Sequence, residues 1–291
     1  MASKIKRAII TAAGPDQRRL PLQTLTDRTG TQSTVIHLLA EEILEAGVER
    51  IALVLAPGDR RDYQIALADF EERIEYIEQE SPMGYGHAVL CAREFAANEP
   101  FLLQVSDHIY LSGRPESCTR QIIDIAEKAD CAVSAVQATH ESQLPYYGTI
   151  SGNVLPNHQG MYQVEKIFEK PTPTLAEQEC VVPGLRHGYY LCFFGMHVLT
   201  PSVFSLLARE VETRADRRLG LSPALNQLAS TEKYLAAQLN GRRANLEVQF
   251  GFLRAQVALG LHGAGREEVL TLMMEEISHT MEKNRTSGAS Q

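Results

Sequence analysis

The chain has 291 residues, with 28 lysines and arginines against 36 aspartates and glutamates, which gives a formal net charge of −8. Apolar residues make up 44% and charged residues 22%, an ordinary globular composition that excludes disorder as a description of the whole chain. The acidic balance argues against broad binding to nucleic acids or anionic membranes, although a local basic pocket can still hold phosphates. We therefore expect neither a nucleic-acid partner nor a membrane partner.

Targeting and cross-linking signals are also weak in this sequence. No segment is long and apolar enough for a membrane span, and the apolar run 8–13 is too short for a signal peptide. The five cysteines are odd in number and form no C-x-x-C pair, so neither a disulfide framework nor a structural zinc site is indicated. We expect a cytoplasmic protein.

Strand-like and helix-like segments alternate through the first half of the chain. The β-branched run 8–11 predicts a buried strand, and residues 35–46 place apolar side chains at helical spacing before Gly47, a typical helix C-cap. The further predicted strands are 51–55, 74–77, 101–105 and 131–136, and the helices between them are 62–70, 87–95 and 118–129. This alternation predicts a Rossmann-like α/β fold, a mostly parallel mixed sheet flanked by helices.

The second half is less regular. The predicted strands there are 148–154, 161–168 and 188–198, and the predicted helices are 201–208, 223–229, 252–261 and 267–281. No linker rich in proline or serine separates the halves, so we predict a single domain over residues 1–282. The polar segment 283–291 predicts a flexible tail.

Candidate binding residues follow the predicted strands, where an open parallel sheet binds its ligands. Ala12-Ala13-Gly14 follows the first strand, and a glycine lets the backbone approach a base or a phosphate closely. Arg18, a few residues on, suits a phosphate. The G-x-G-x-x-G fingerprint is absent from this loop, which argues against a nicotinamide dehydrogenase.

Four further residues are candidates for a chemical role, and each has a simpler alternative interpretation. Asp107 follows the strand 101–105, where a carboxylate commonly holds Mg²⁺, although a turn or helix cap explains it equally well. Glu169 and Lys170 suit sugar hydroxyls and a phosphate, but a solvent-exposed pair is the simpler interpretation. For His87 we expect a capping or packing role, because no partner is placed to make it a general base.

The order of these segments is more informative than any one of them. The relevant stretches are A-A-G-P-D-Q-R-R-L-P (12–21), Gln79, G-Y-G-H-A-V-L-C-A (84–92), V-S-D (105–107), Tyr147-Gly148, E-K-P (169–171), F-G-M-H-V-L-T-P (194–201) and G-F-L-R-A (251–255). In this order and spacing the sequence resembles the sugar-phosphate nucleotidyltransferases, and within them the bacterial-type UTP–glucose-1-phosphate uridylyltransferases. The likeness extends over about residues 6–261.

The resemblance implies a fold of the nucleotide-diphospho-sugar transferase type, with a nucleotide-binding half at about 1–140, a sugar-binding half at about 141–260 and C-terminal helices at about 261–282. Carried over residue by residue, it implies nucleotide contacts at Ala12, Ala13, Gly14, Gln79 and Gly84, sugar contacts at Gly148, Glu169 and Lys170, a Mg²⁺ ligand at Asp107, and catalytic roles for Arg18, Asp107 and Lys170.

The implied reaction transfers a uridylyl group from UTP to glucose 1-phosphate and releases pyrophosphate, with Mg²⁺ as the cofactor and possible assembly into a homo-oligomer. Three positions depart from the family pattern: Asp16 replaces a loop glycine, Gln23 a lysine and Asn245 a second metal-binding aspartate. Two alternatives stay open, and these departures motivate the first. One is a weakened homologue that binds a nucleotide or sugar nucleotide as a sensor or partner subunit. The other is a nucleotidyltransferase for another sugar or base.

Overall fold

The chain is organised around a nine-stranded mixed sheet, described over residues 4–15, 18–213 and 218–288 in a computed structural model. The strands are β1 (Arg7–Ala12), β2 (Thr24–Thr26), β3 (Gln32–Thr34), β4 (Arg50–Leu55), β5 (Ile74–Glu78), β6 (Phe101–Val105), β7 (His108–Ser112), β8 (Ala132–His140), β9 (Thr149–Val154), β10 (Met161–Phe168), β11 (Tyr189–Leu199), β12 (Tyr234–Gln238) and β13 (Gly241–Asn245). The α-helices are α1 (Val35–Glu45), α2 (Arg60–Ala66), α3 (Tyr85–Cys91), α4 (Arg93–Ala96), α5 (Cys118–Ala129), α6 (Pro173–Glu179), α7 (Ser202–Thr213), α8 (Ser222–Thr231), α9 (Gly251–Leu261) and α10 (Arg266–Gly288).

The sheet has the order β5-β4-β1-β6-β11-β8-β12-β10-β9. Strands β5, β4, β1 and β6 pair in parallel, whereas β11 and β10 run antiparallel to their neighbours. The predicted mixed α/β sheet is therefore confirmed. Since β1 and β6 are adjacent and parallel, the loop after Ala12 and the Ser106-Asp107 pair leave the same edge, and Ser106 Oγ donates to the carbonyl of Thr11 at 2.8 Å.

Both faces of the sheet are buried, which is why its parallel strands are continuous apolar runs. Side chains alternate between the two faces with a period of two, so that Ile10 joins one core cluster and Ile9 the other. Helices α1, α5 and α9 contribute to the first cluster, and α3, α7 and α8 to the second. This three-layer packing fixes the loops at the carboxyl ends of the strands.

The structure contains several elements that the sequence did not predict. Strand β12 reads Tyr-Leu-Ala-Ala-Gln, a composition that favours a helix, yet it is buried between β8 and β10. Its strand conformation is imposed by its neighbours rather than by propensity. The sequence also did not predict α6, the hairpin of β2 and β3, or the ribbon of β7 and β13. Their segments are short and carry no clear periodicity.

Helix α10 extends to Gly288 and so includes residues 283–288 of the segment for which the sequence predicts a flexible tail. The segment from Arg266 to Ser287 contains neither glycine nor proline, so nothing in it interrupts a helix once it has begun. The last residues of the chain lie outside the described part. Among the described helices, none has the length and apolarity to cross a bilayer.

A buried polar group lies in the centre of the sheet. Ser134 on β8 contacts Nδ1 of His197 on β11 and the hydroxyl of Tyr234 on β12. Burial lowers the pKa of His197 to about 3, from an ordinary value of 6.5. His197 is thus neutral in the folded protein.

We expect His197 to make the fold sensitive to acid. The unfolded chain binds a proton at this histidine below pH 6.5 and the folded chain does not, so its contribution to stability is complete above pH 6.5 and is lost as the pH falls towards 3. Between these two pH values the free energy of unfolding falls by about 1.4 kcal/mol per pH unit through this one histidine. The free energy of unfolding, measured in urea between pH 7 and 5, should fall less steeply with falling pH for His197→Gln than for the wild type. Equal slopes for the two proteins would contradict this assignment.

Candidate active site

A pocket opens at the carboxyl ends of β1, β5 and β6. All five residues implied to contact the nucleotide line it: Ala12, Ala13, Gly14, Gln79 and Gly84. Asp107, Glu169 and Lys170 form another part of its wall. The structure therefore brings together residues that lie up to about half the chain apart in sequence, at the edge where an open parallel sheet binds ligands.

The glycines around Tyr85 are required by a close approach of the segment 219–220. Gly84 has φ of +104°, and a Cβ there would lie 2.7 Å from the carbonyl oxygen of Leu219. A Cβ on Gly86 would lie 2.5 Å from the carbonyl oxygen of Gly220, and the Gly86 amide donates to Leu219 at 2.9 Å. The G-Y-G sequence thus joins the start of α3 to the segment before α8.

Gln79 is buried at the end of β5, and its amide is held on one side by α3. Its Nε2 donates to the carbonyl of Gly84 at 3.1 Å and lies 2.9 Å from Nδ1 of His87. Burial lowers the pKa of His87, which keeps this ring neutral near pH 7. His87 therefore has a defined polar partner in the pocket, which the sequence-based capping or packing role did not include.

Asp107 follows β6 directly and is 8% exposed. Its Oδ1 accepts a hydrogen bond from Nδ1 of His108 at 2.6 Å. Burial opposes ionisation of Asp107, but the charge and hydrogen bond of His108, with the charge of Lys170, hold its pKa below the ordinary value. Asp107 is therefore a carboxylate in the folded protein.

A second pocket adjoins the first and shares Asp107, Glu169 and Lys170 with it. Gly148, at the start of β9, lines this pocket. A Cβ on Gly148 would lie 2.8 Å from the Phe193 ring and 3.4 Å from Oε2 of Glu169. The glycine lets its backbone lie directly beside the Glu169 carboxylate, so the two residues implied to contact the sugar are neighbours.

Glu169 and Lys170 are held by local structure. Oε2 of Glu169 accepts a hydrogen bond from Ser222 Oγ, at the start of α8, at 2.6 Å. Lys170 has φ of +46°, a left-handed conformation that is costly for a residue with a side chain and that recurs at functional sites. Glu169 and Lys170 both line the two pockets, and both are exposed to solvent there.

A divalent metal would have the carboxylate of Asp107 available at this junction, where Glu169 also lines both pockets. Among the described residues no group of three or more His, Cys, Asp or Glu side chains is arranged to hold a metal ion. Magnesium is commonly held by one or two carboxylates together with substrate phosphates, which fits an ionised Asp107 between two pockets. The donor set is compatible with such an ion.

Asn245, at the position of the family's second aspartate, lies opposite His108 in the β7–β13 pairing. Its Nδ2 donates to the hydroxyl of Tyr147 at 3.2 Å, and its Oδ1 accepts from the Glu247 amide at 2.8 Å. Both ends of the amide are thus engaged within the protein. The exposed Glu247 also lines the second pocket.

Arg18 is not among the residues that line the cleft. Its guanidinium lies 3.5 Å from the carboxylate of Asp59, and its carbonyl accepts a hydrogen bond from the Tyr63 hydroxyl at 2.7 Å. The structure therefore does not bring Arg18 together with the cleft residues, and the role implied for it at the phosphates stays a prediction. Asp16, in the same loop, lies outside the described residues.

Sequence reasoning missed parts of the cleft wall that only the fold brings together. Ser222 is the clearest case, because in the sequence its S-P pair indicates only the start of a helix. Tyr147 and His108 pack with ring centroids 6.1 Å apart beside the second pocket. Nothing in the spacing of these residues signals their proximity, since they lie on separate strands and loops.

Known proteins resemble this chain over most of its length. A UTP–glucose-1-phosphate uridylyltransferase of Bacillus subtilis (strain 168), YngB, is 27% identical over 303 aligned residues, covering 95% of this chain and 97% of that protein. A UTP–glucose-1-phosphate uridylyltransferase of Streptococcus pneumoniae is 26% identical over 288 residues, covering 90% of this chain and 92% of that protein.

Solved structures give the same picture. A UDP-glucose pyrophosphorylase in complex with UDP-glucose superposes with a TM-score of 0.72 at 25% identity, covering 87% of this chain and 98% of that one. A UTP-bound enzyme from Acinetobacter baumannii shares the fold with a TM-score of 0.69 at 22% identity, covering 93% of this chain and 99% of that one. The sequence model of the family described as Nucleotidyl transferase matches residues 17–243, which is most of the chain. With its sheet, its two adjoining pockets and this match in agreement, the chain belongs to the nucleotidyl transferase family.

Proposed function

We propose that this protein transfers the uridylyl group of UTP to glucose 1-phosphate, giving UDP-glucose and pyrophosphate. One observation carries the proposal: Asp107, Glu169 and Lys170 form a wall common to two adjoining pockets. A nucleotide in the first pocket and a sugar phosphate in the second would bring their phosphates together at this wall. The names of the relatives support the choice of UTP and glucose 1-phosphate.

The chemistry asked of the protein is alignment and charge neutralisation. An oxygen of the sugar phosphate attacks the α-phosphorus of the nucleotide, and pyrophosphate leaves. Because the attacking phosphate is already an anion, no general base is needed. Lys170 would balance the charge that builds up on the phosphates, and Asp107 would hold a Mg²⁺ ion, which supplies further neutralisation when bound.

The two pockets suit different parts of the substrates. In the first, Gln79 and the backbone of the Ala13-Gly14 loop would contact the base, beside Gly84. In the second, the carboxylate of Glu169 would accept hydrogen bonds from sugar hydroxyls while the Gly148 backbone packs against the ring. We further propose that the protein acts in a reducing cytoplasm, in keeping with its five free cysteines.

A second candidate function is nucleotide or sugar-nucleotide binding without efficient turnover. Two observations favour this function. The side-chain amide of Asn245 is hydrogen-bonded to Tyr147 and to the backbone of Glu247, and Arg18 is paired with Asp59 outside the cleft. The first leaves one carboxylate fewer to hold a metal ion, and the second leaves one positive charge fewer at the phosphates. Such a sensor would bind UDP-glucose well, bind UTP poorly and release almost no pyrophosphate.

A panel of single-turnover mixtures separates these candidates. The purified protein is incubated with Mg²⁺, one nucleoside triphosphate and one hexose 1-phosphate at a time, and pyrophosphate release is followed. We expect UTP with glucose 1-phosphate to give the fastest release. If another pair gives faster release, that pair identifies the base or the sugar instead. If release stays at background for every pair and calorimetry shows tight binding of UDP-glucose, the sensor is favoured.

Gly148→Ala should weaken the sugar-phosphate site selectively. The new methyl group would lie 2.8 Å from the Phe193 ring, which is too close, so this ring of the second pocket must shift, and it would contact Oε2 of Glu169 at 3.4 Å. Crowding of this kind costs roughly 1–3 kcal/mol, and we expect KM for glucose 1-phosphate to rise about tenfold or more. KM for UTP should stay within about threefold of the wild type, since Gly148 does not line the nucleotide pocket. Equal loss for both substrates would contradict the division into two pockets.

A further inference from the structure

The carbonyl of Gly84 fixes which way the Gln79 amide faces. A backbone carbonyl only accepts hydrogen bonds, so the group 3.1 Å from it must be the Nε2 amino group of Gln79 and not Oε1. The second N–H of that amino group faces Nδ1 of His87 at 2.9 Å. Oε1 is left without a hydrogen-bond partner among the residues that the structure describes, on a side chain that lines the nucleotide pocket.

The same geometry fixes the tautomer of His87. Since Gln79 donates, Nδ1 must accept, and the proton of the neutral ring lies on Nε2. Cys91, one turn further along α3, agrees with this: its Sγ lies 3.9 Å from the same Nδ1, and burial raises the pKa of this thiol, which leaves it a proton to donate. Both neighbours of Nδ1 are therefore donors.

We propose that His87 is a positioning residue for base selection: by accepting from Nε2, it locks the Gln79 amide so that only its carbonyl oxygen faces the bound base. The inference rests on the proposed function and deepens it. An acceptor at this position suits the N3–H of uracil, which is a donor, and opposes the bare N3 of cytosine, which is an acceptor. UTP and CTP have nearly the same size, so a difference in kcat/KM between them reports the orientation of the Gln79 amide.

The spectroscopic test reads the hydrogen bond without any nucleotide. In ¹⁵N-labelled wild-type protein near neutral pH, the imidazole of His87, assigned by its loss in His87→Leu, should show an unprotonated Nδ1 and a protonated Nε2. A protonated Nδ1 would overturn the inference, whatever the protein's activity, because a protonated nitrogen cannot accept from Gln79.

The kinetic test compares variants at one position. The wild type should prefer UTP to CTP in kcat/KM by roughly tenfold or more, the usual cost of opposing two buried acceptors. His87→Leu removes the acceptor and frees the amide to turn, so the preference should fall to within about threefold, mainly through KM. His87→Asn offers its side-chain oxygen near the position of Nδ1 and should restore most of the preference. The Cys91 thiol contacts the same nitrogen only weakly, at 3.9 Å, so Cys91→Ala should leave the preference for UTP unchanged.

The outcomes separate this inference from the function on which it rests. A wild type that uses UTP and CTP equally, or a preference that survives in His87→Leu, would overturn the inference and leave nucleotidyl transfer intact. A wild type that binds neither nucleotide by calorimetry would overturn the proposed function together with the base selection. Loss of preference in both His87→Leu and His87→Asn, with lowered thermal stability in both, would identify His87 as a packing residue and contradict the inference.

Discussion

Lys170→Ala should lower kcat for pyrophosphate release by about a hundredfold to a thousandfold, the usual cost of removing one group that stabilises developing charge. Lys170 lines both pockets and acts on the charge of Asp107, so its ammonium belongs to the junction where the phosphates would meet. Because this charge matters most in the transition state, KM for UTP should change far less than kcat. Stopped-flow or coupled pyrophosphate assays at saturating substrate measure the loss.

Two matched variants control this experiment. Lys166→Ala removes a neighbouring lysine that pairs with Glu179 on the surface, where its side chain is 62% exposed, and it should leave kcat unchanged. Arg18→Ala should cost much less than Lys170→Ala, because the Arg18 guanidinium pairs with Asp59 outside the cleft. A loss for Arg18→Ala as large as that for Lys170→Ala would mean that this loop rearranges to bring the arginine to the phosphates.

Asp107→Asn should abolish metal-dependent turnover, with a loss of about a thousandfold or more in kcat, since a neutral amide is a poor ligand for a hard cation. The substitution preserves shape and an oxygen that can accept from His108, so the melting temperature should change little. Turnover is measured against Mg²⁺ concentration, and thermal unfolding is followed by circular dichroism. Retained Mg²⁺-dependent activity would contradict the assignment of Asp107 as the metal ligand.

Asp59→Asn is the control for Asp107→Asn. Asp59 is also a buried carboxylate that follows a parallel strand, β4, but it pairs with Arg18 outside the cleft. We expect it to keep its Mg²⁺ dependence and most of its turnover. If Asp107→Asn instead unfolds readily and its remaining folded fraction keeps full activity, Asp107 is a structural cap.

The parts of the fold that the sequence predicts are those that local patterns encode. Strand β6 and helix α5 have the predicted bounds, because a continuous apolar run and a 3.6-residue period are each local signals. β12 could not be found in this way, since its alanines and leucine favour a helix and only pairing with β8 and β10 makes it a strand. Propensity gives way to tertiary packing there.

The same division holds for the cleft. Gln79, Asp107 and Lys170 were identifiable because each belongs to a short stretch that resembles a known family. Ser222 and the tautomer of His87 were not, since both depend on contacts between elements that the sequence does not connect. The contacts of Arg18 have the same origin: the sequence shows a cation near a phosphate-binding loop, but not that it lies against Asp59 and Tyr63.

The central claim is that sugar phosphate in one pocket attacks nucleotide in the other. It is tested most directly by ³¹P NMR of the wild type with Mg²⁺, UTP and glucose 1-phosphate whose phosphate oxygens carry ¹⁸O. Attack by the sugar phosphate on the α-phosphorus predicts equal amounts of UDP-glucose and pyrophosphate, with all of the ¹⁸O in UDP-glucose and none in pyrophosphate. No UDP-glucose above the level of a protein-free control, or ¹⁸O in the released pyrophosphate, would contradict the account.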